Sequence, residues 1–282
     1  MKNGATEHIS IQKISNGEIS ETKDMVAVEE PLEIQLAYST ATGRMQKNIA
    51  ITMRTPGNDE ELAAGFLFTE GIITDKASVH EIKHLPADDN RVLVTLKENI
   101  IPVLASASRN FYSTSSCGIC GKASIDAVRI VSQYSDKKDN IVIDANTFHG
   151  LQHQLKKQQE VFEDTGGIHA SALFDLSGNF IMLREDVGRH NALDKIIGTA
   201  LLTNELPLNN CILLLSGRAG FELVQKAAMA GIKIIAAVGA PSSLAVQLAE
   251  ETGITLIGFL RNNRFNIYSG KKRINTPALP VS

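Results

Sequence analysis

Cys117 and Cys120 stand two residues apart in the run Ser115-Ser116-Cys117-Gly118-Ile119-Cys120-Gly121-Lys122, and they are two of the chain's 3 cysteines. Serine, glycine and lysine surround them, so little local apolar surface is available to bury the sulfurs. An exposed thiol beside a cation is a candidate thiolate, whereas a buried one is inert packing. Such a pair can ligate a metal, cycle as a disulfide, or carry sulfur as a persulfide. Lys122 and a helix start expected at Ala123 both favour a thiolate electrostatically. Gly118 and Gly121 allow the turn to swing.

The rest of the chain must position this pair. With 282 residues, 43% hydrophobic and 21% charged, it is long enough to bury a substantial core. A net charge of -3 gives no basis for nucleic-acid or membrane-surface binding. No apolar run approaches the ~18 residues of a membrane span. The stretch Met1 to His8 lacks the apolar segment of a leader peptide, and the odd cysteine count suits a reducing cytoplasm. The pattern divides into a polar tail over 1–24, a β-rich domain with the CxxC loop over 25–145, an α/β core over 146–270, and a tail over 271–282. Strands are expected at Leu32–Ala37 and Arg91–Leu96, and a helix after the acidic stretch Asp59-Glu60-Glu61. A further helix is expected over 147–162.

The last third is the most regular. Residues 170–176 and 180–183 flank Ser177-Gly178-Asn179 and read as a β-hairpin. Ala192, Leu193, Ile196, Ile197, Ala200 and Leu201 recur at helical spacing. Apolar runs at 212–215, 234–238 and 254–259 alternate with helical segments, which predicts parallel β-α-β-α-β. In such sheets ligands bind beyond the carboxyl ends of the strands. Three segments fall there. They carry Ser216 and Arg218, then Ser242 and Ser243, then Phe259, Leu260, Arg261, Asn262, Asn263 and Arg264. Small residues let a ligand approach the backbone, guanidinium groups suit phosphate, and Phe259 offers a face for a base. The edge therefore reads as a nucleotide or phosphate site, without a Walker sequence or GxGxxG. A second polar cluster runs from Arg184 to Lys195, with His190 and Asp194 four apart on one helix face. It reads equally as a capping network or a ligand pocket, with Asp186 part of it. His169 reads as a structural hydrogen-bonder.

Several blocks together resemble a known family. They are the CxxC run, Thr-Gly-Gly-Ile-His-Ala at 165–170, Arg-Glu-Asp-Val-Gly-Arg-His-Asn-Ala at 184–192, Ser-Gly-Arg at 216–218 and Ala-Pro-Ser-Ser-Leu-Ala at 240–245. Thr55-Pro56-Gly57 with Glu61-Leu62-Ala63 and Gly65-Phe66-Leu67 completes the set. In this order they resemble the formate dehydrogenase accessory sulfurtransferases, FdhD, over about residues 25–270. The resemblance implies a cytoplasmic sulfurtransferase that takes persulfide sulfur from a cysteine desulfurase. It passes the sulfur to the bis-molybdopterin guanine dinucleotide form of the molybdenum cofactor, which formate dehydrogenase needs. It implies Cys117 as the persulfide carrier with Cys120 assisting, and cofactor contact by Phe259 to Arg264. It also implies a cytidine deaminase-like core, and a homodimer is a reasonable assembly.

The deaminases hold zinc with His-x-Glu and Pro-Cys-x-x-Cys. This chain has His190-Asn191-Ala192 and Ser216-Gly217-Arg218-Ala219 instead, so no zinc is expected. Rival readings of the CxxC remain. A structural zinc site would need about four ligands, with His149 and His153 on one helix as partners and Cys211 unsuited by its place in a buried strand. A thioredoxin-like oxidoreductase would place CxxC between a strand and a long helix. A chaperone that only binds and delivers the cofactor would not need the cysteines.

Overall fold

The computed structural model describes residues 4–86, 88–104, 111–112, 132–134 and 139–276. Asn16 and Gly17 both adopt left-handed backbone, with φ of 53° and 86°, and close a two-residue turn between β1 (Thr6–Ser15) and β2 (Glu18–Ala27). Asn-Gly matches the twist of antiparallel strands at such a turn. The strands pair residue for residue from Thr6↔Ala27 to Ser15↔Glu18. The stretch expected to be a loose tail is thus a regular ribbon. Its polar side chains on both faces hid it from an apolar-alternation reading.

Complete burial of Leu32, Ile34 and Leu36 marks the inner face of β3 (Glu30–Thr40). It pairs antiparallel with β4 (Gly43–Arg54). Next come α1 (Asp59–Thr69), β5 (Val79–Leu85), β6 (Asp88–Leu96) and β7 (Phe111–Tyr112). The five strands form a mixed sheet in the order β5-β6-β3-β4-β7. Arg54, 1% exposed, grips Asp59 with two hydrogen bonds of 3.1 and 3.0 Å and so ties the end of β4 to the start of α1.

β8 (Ile143–Asp144) precedes two short helices, α2 (Leu151–Gln158) and α3 (Glu160–Thr165). One continuous helix was expected here. It breaks at Gln159 because the Glu185 carboxylate accepts the backbone N–H groups of Val161 and Phe162, both at 2.9 Å, and starts a new helix. His149 lies ahead of α2 in extended backbone, so it does not share a helix face with His153.

The second sheet begins with the hairpin β9 (His169–Asp175) and β10 (Phe180–Asp186). Then follow α4 (Arg189–Leu202), β11 (Cys211–Leu215), α5 (Phe221–Met229), β12 (Ile234–Ala237), α6 (Ser243–Glu251) and β13 (Thr255–Arg261). β11, β12 and β13 are parallel, as the alternation predicts. The chain then turns back into β14 (Arg264–Ser269), antiparallel to β13, and ends in β15 (Ile274–Asn275) against β8. The six strands run β10-β9-β11-β12-β13-β14, so the protein is a mixed α/β fold with two principal sheets.

One core joins these sheets. Leu213, Leu215 and Ile235 from the second sheet bury with Leu193, Ile196 and Ile197 of α4, and with Leu62, Leu67 and Phe68 of α1. The opposite face of the second sheet packs on Phe148, Leu151 and Leu155. α1 and α4 meet backbone to backbone. A Cβ on Gly65 would stand 1.9 Å from the Asp194 carbonyl oxygen, and one on Gly198 would stand 1.8 Å from that of Glu61. Only glycine permits this approach.

Gly65→Ala is therefore expected to lower stability by ~3 kcal/mol or more, because backbone cannot yield as a side chain does. Gly220→Ala, at the N-cap of α5 where the added carbon meets nothing within 4 Å, should cost no more than about 1 kcal/mol. Urea unfolding of both variants checks the difference, and equal losses would contradict the crossing.

Candidate functional site

Backbone hydrogen bonds lace the three strand-end segments into one edge. Gly239 donates its N–H to Gly217 O at 2.9 Å, Ser242 to Ala219 O at 3.1 Å, and Phe259 to Gly239 O at 3.1 Å. Ala219 and Pro241 form an isolated parallel bridge. Ser216, Arg218, Ser242, Ser243 and Phe259 thus belong to one continuous surface. Ser216 Oγ accepts the Ala170 N–H at 2.8 Å and so holds the start of β9 to the end of β11. Ser242 caps α6, accepting the Ala245 N–H at 3.3 Å.

The third segment, expected beyond the end of a strand over 254–259, is itself the end of that strand and a hairpin turn. β13 continues to Arg261, Asn262 and Asn263 form the hairpin turn, and Arg264 pairs with Arg261 across it. Leu260 is fully buried and acts as a core anchor. Arg261 donates from Nη1 to the carbonyls of Val238 at 2.8 Å and Leu260 at 2.7 Å, so part of its donor set is spent on holding the edge together. Arg218 and Arg264 are exposed and form no ion pair among the described residues. Phe259 has φ 53° and is 44% exposed. A bulky residue in left-handed backbone costs about 1–3 kcal/mol and persists where its surroundings force it. The bulge between Gly258 and Arg261 supplies that constraint.

The polar cluster from Arg184 to Lys195 is an internal network. Asp186, fully buried, pairs with Lys195 at 2.8 Å and accepts Gly188 N–H at 2.8 Å and Asn191 Nδ2 at 3.0 Å. Lys195 also donates to the Thr55 carbonyl at 3.0 Å. Asp194 accepts from Lys226 at 3.0 and 2.8 Å and from Thr69 at 2.8 Å. His190 and Glu222 stand 2.9 Å apart. The spacing of four on α4 is matched by Glu222 and Lys226 on α5, so the two helices present a paired ladder. Glu222 escaped sequence reading; its only signal is its place in the first turn of α5. Burial penalises the Asp186 and Asp194 carboxylates and pushes both pKa values up, against the pull of their lysines.

Cys117, Cys120 and Lys122 lie outside the described residues. Cys211 opens β11, half-buried, and burial pushes its thiol up to about 11, with Glu205 and Asp175 adding to the shift. It stays a thiol near neutral pH. Among the described residues no cluster of histidine, cysteine and carboxylate could hold a metal, and no helix is long and apolar enough to cross a membrane.

The His169 imidazole makes no hydrogen bond to a described residue, contrary to the structural role expected of it. It lines a cavity with Ser216 and Val238 at the strand ends. Gln152, Gln159 and Phe162 close the other side, and nothing in their spacing marked them beforehand.

A model of the FdhD/NarQ family matches residues 27–275. A protein of Mycolicibacterium paratuberculosis named sulfur carrier protein FdhD is 49% identical over 271 residues, covering 94% of this chain and 97% of its own. A namesake from Streptomyces avermitilis is 45% identical over 95% of both chains. One from Sulfolobus acidocaldarius is 43% identical over 95% of this chain and 98% of its own. Among solved structures, a protein assigned as a formate dehydrogenase accessory protein from Desulfotalea psychrophila superposes with a TM-score of 0.72 at 25% identity. That match covers 96% of this chain and all of the other. With both its sequence and its fold shared from end to end, the chain belongs to the FdhD/NarQ family.

Proposed function

We propose that this protein is a cytoplasmic sulfur carrier for the maturation of formate dehydrogenase. It accepts sulfane sulfur from a cysteine desulfurase on Cys117 and delivers it to a bis-molybdopterin guanine dinucleotide cofactor held at the strand ends. The relatives' names support the carrier role. The observation that carries the cofactor half is the laced edge, which holds Phe259 exposed in strained backbone and also carries the exposed Arg218 and Arg264. Such a surface suits an aromatic base and a diphosphate together.

In this reading the Cys117 thiolate attacks the outer sulfur of the donor persulfide, and the donor thiol leaves. Attack by Cys120 on the inner sulfur of the loaded Cys117 then releases hydrosulfide to the cofactor. The pair supplies the two electrons and becomes a disulfide, which an external thiol reduces. The core is of the cytidine deaminase type in this account, on the order β9-β11-β12-β13 with α4, α5 and α6 as crossovers. His190 there pairs with Glu222, so the position where a deaminase binds zinc is spent on a helix-to-helix contact. A homodimer remains the proposed assembly.

Incubation with a cysteine desulfurase and cysteine, followed by peptide mass spectrometry, should place one added sulfur on the peptide bearing Cys117. Cys117→Ala should abolish it, and Cys211 should stay unlabelled because its thiol is pushed up to about 11. Sulfur on Cys211, or normal loading of Cys117→Ala, would remove the carrier role and leave a cofactor chaperone. Phe259→Asn should change stability by no more than ~1 kcal/mol, since relief of strain offsets the lost apolar contact. GDP affinity should fall about tenfold with the lost stacking face, and calorimetric titration reads it. Unchanged affinity would separate Phe259 from the nucleotide.

A further inference from the structure

The cavity beside His169 encloses about 370 Å³, within the roughly 300–1,000 Å³ of small-molecule sites. Ser216 and Val238 form its wall at the carboxyl ends of β11 and β12, and His169 enters from the first residue of β9. Gln152 of α2, Gln159 at the helix break and Phe162 of α3 face them. The lining chemistry is specific. Lys156 is the one charged group among the described lining residues, and it is exposed. An anion clamp would need more than this.

The polar groups present are neutral and two-sided. An amide offers donors and an acceptor, and a neutral imidazole offers one of each. Burial lowers the His169 pKa, and the nearby Arg189 and His190 lower it further, so the ring is neutral near pH 7. Ser216 Oγ already accepts the Ala170 N–H, which leaves its proton to donate. Phe162, 39% exposed, supplies a ring face, and Leu155, Ile168 and Val187 supply apolar contact. The cavity also adjoins the strand-end edge through Val238, a lining residue whose carbonyl accepts Arg261 Nη1 at 2.8 Å.

The geometry points to this cavity as a pocket for a neutral planar heterocycle with donors and acceptors along its edge, a purine or pterin type of ring, whose edge His169 reads. The inference rests on the cofactor reading above and deepens it, since a guanine-tailed pterin carries both kinds of ring. The pocket and the arginine-bearing edge then divide one cargo, the first taking a ring and the second the phosphates.

The full chain is titrated separately with neopterin, guanosine and GDP, following ligand fluorescence or heat. The wild type should bind neopterin or guanosine, and whichever binds tighter names the ring. His169→Ala and Gln152→Leu should each weaken that ring about tenfold, with far-ultraviolet circular dichroism unchanged. GDP affinity should stay constant in both variants if the ring is the pterin, and fall with guanosine if it is the guanine. Failure of both rings to bind the wild type, or wild-type affinity in both variants, would overturn the pocket. Ring binding without GDP binding would support the pocket and count against the nucleotide edge, so the two readings fail separately.

Discussion

The contact on which the rest of the structure depends is the crossing of α1 and α4 at Gly65 and Gly198. There the backbone of each helix occupies the space where the other's side chain would be. Helices this close transmit position directly, without side chains that can shift. Polar contacts clamp both flanks. Arg184 holds Glu61 with bonds of 2.6 and 2.9 Å, and Asp194 takes Lys226 and Thr69. Removing one partner of the buried Asp194–Lys226 pair costs about 3–5 kcal/mol, because the other charge is left unpaired. The five-stranded and six-stranded sheets thereby share one core and form one body.

That rigidity has a chemical use. The strand-end edge is made of backbone segments hydrogen-bonded to each other, and it holds Phe259 in a conformation the residue would not choose. Strain of this kind is sustained by neighbours that cannot relax. The buried network from Asp186 to Lys195 fixes the start of α4 beside the cavity. The edge and the cavity are thus preorganised by hydrogen bonds and ion pairs from neighbouring elements. The carrier proposed above requires a fixed place for the cargo, and rigid backbone of this kind suits one.

Much of this was legible in the chain. The hairpin over 169–186 and the parallel strands from 211 to 261 carry clean period-two and continuous apolar signals, and helix spacing marked α4. What was not legible depends on partners distant in sequence. The break at Gln159 is set by Glu185, from another element. β14 hides behind Asn262 and Asn263, which read as loop but form a tight turn. The ribbon β1–β2 has no buried face to announce it, although Asn16-Gly17 was a turn signal in plain view. At the candidate site, the strand-end residues could be named because topology places them. His169 could not be separated from an ordinary structural histidine, since its distinction is an imidazole with no partner among the described residues beside a cavity lined by α2 and α3.

We propose that sulfur carried on Cys117 is delivered to cargo bound at the strand-end edge. This delivery is tested most directly by a single-turnover transfer. Protein loaded with radiolabelled persulfide is mixed with the bis-molybdopterin guanine dinucleotide cofactor, with and without saturating GDP, and the label is followed from protein to cofactor. Rapid transfer is expected, which GDP suppresses while leaving persulfide loading intact. Transfer at the same rate with the edge occupied by GDP would contradict the proposal.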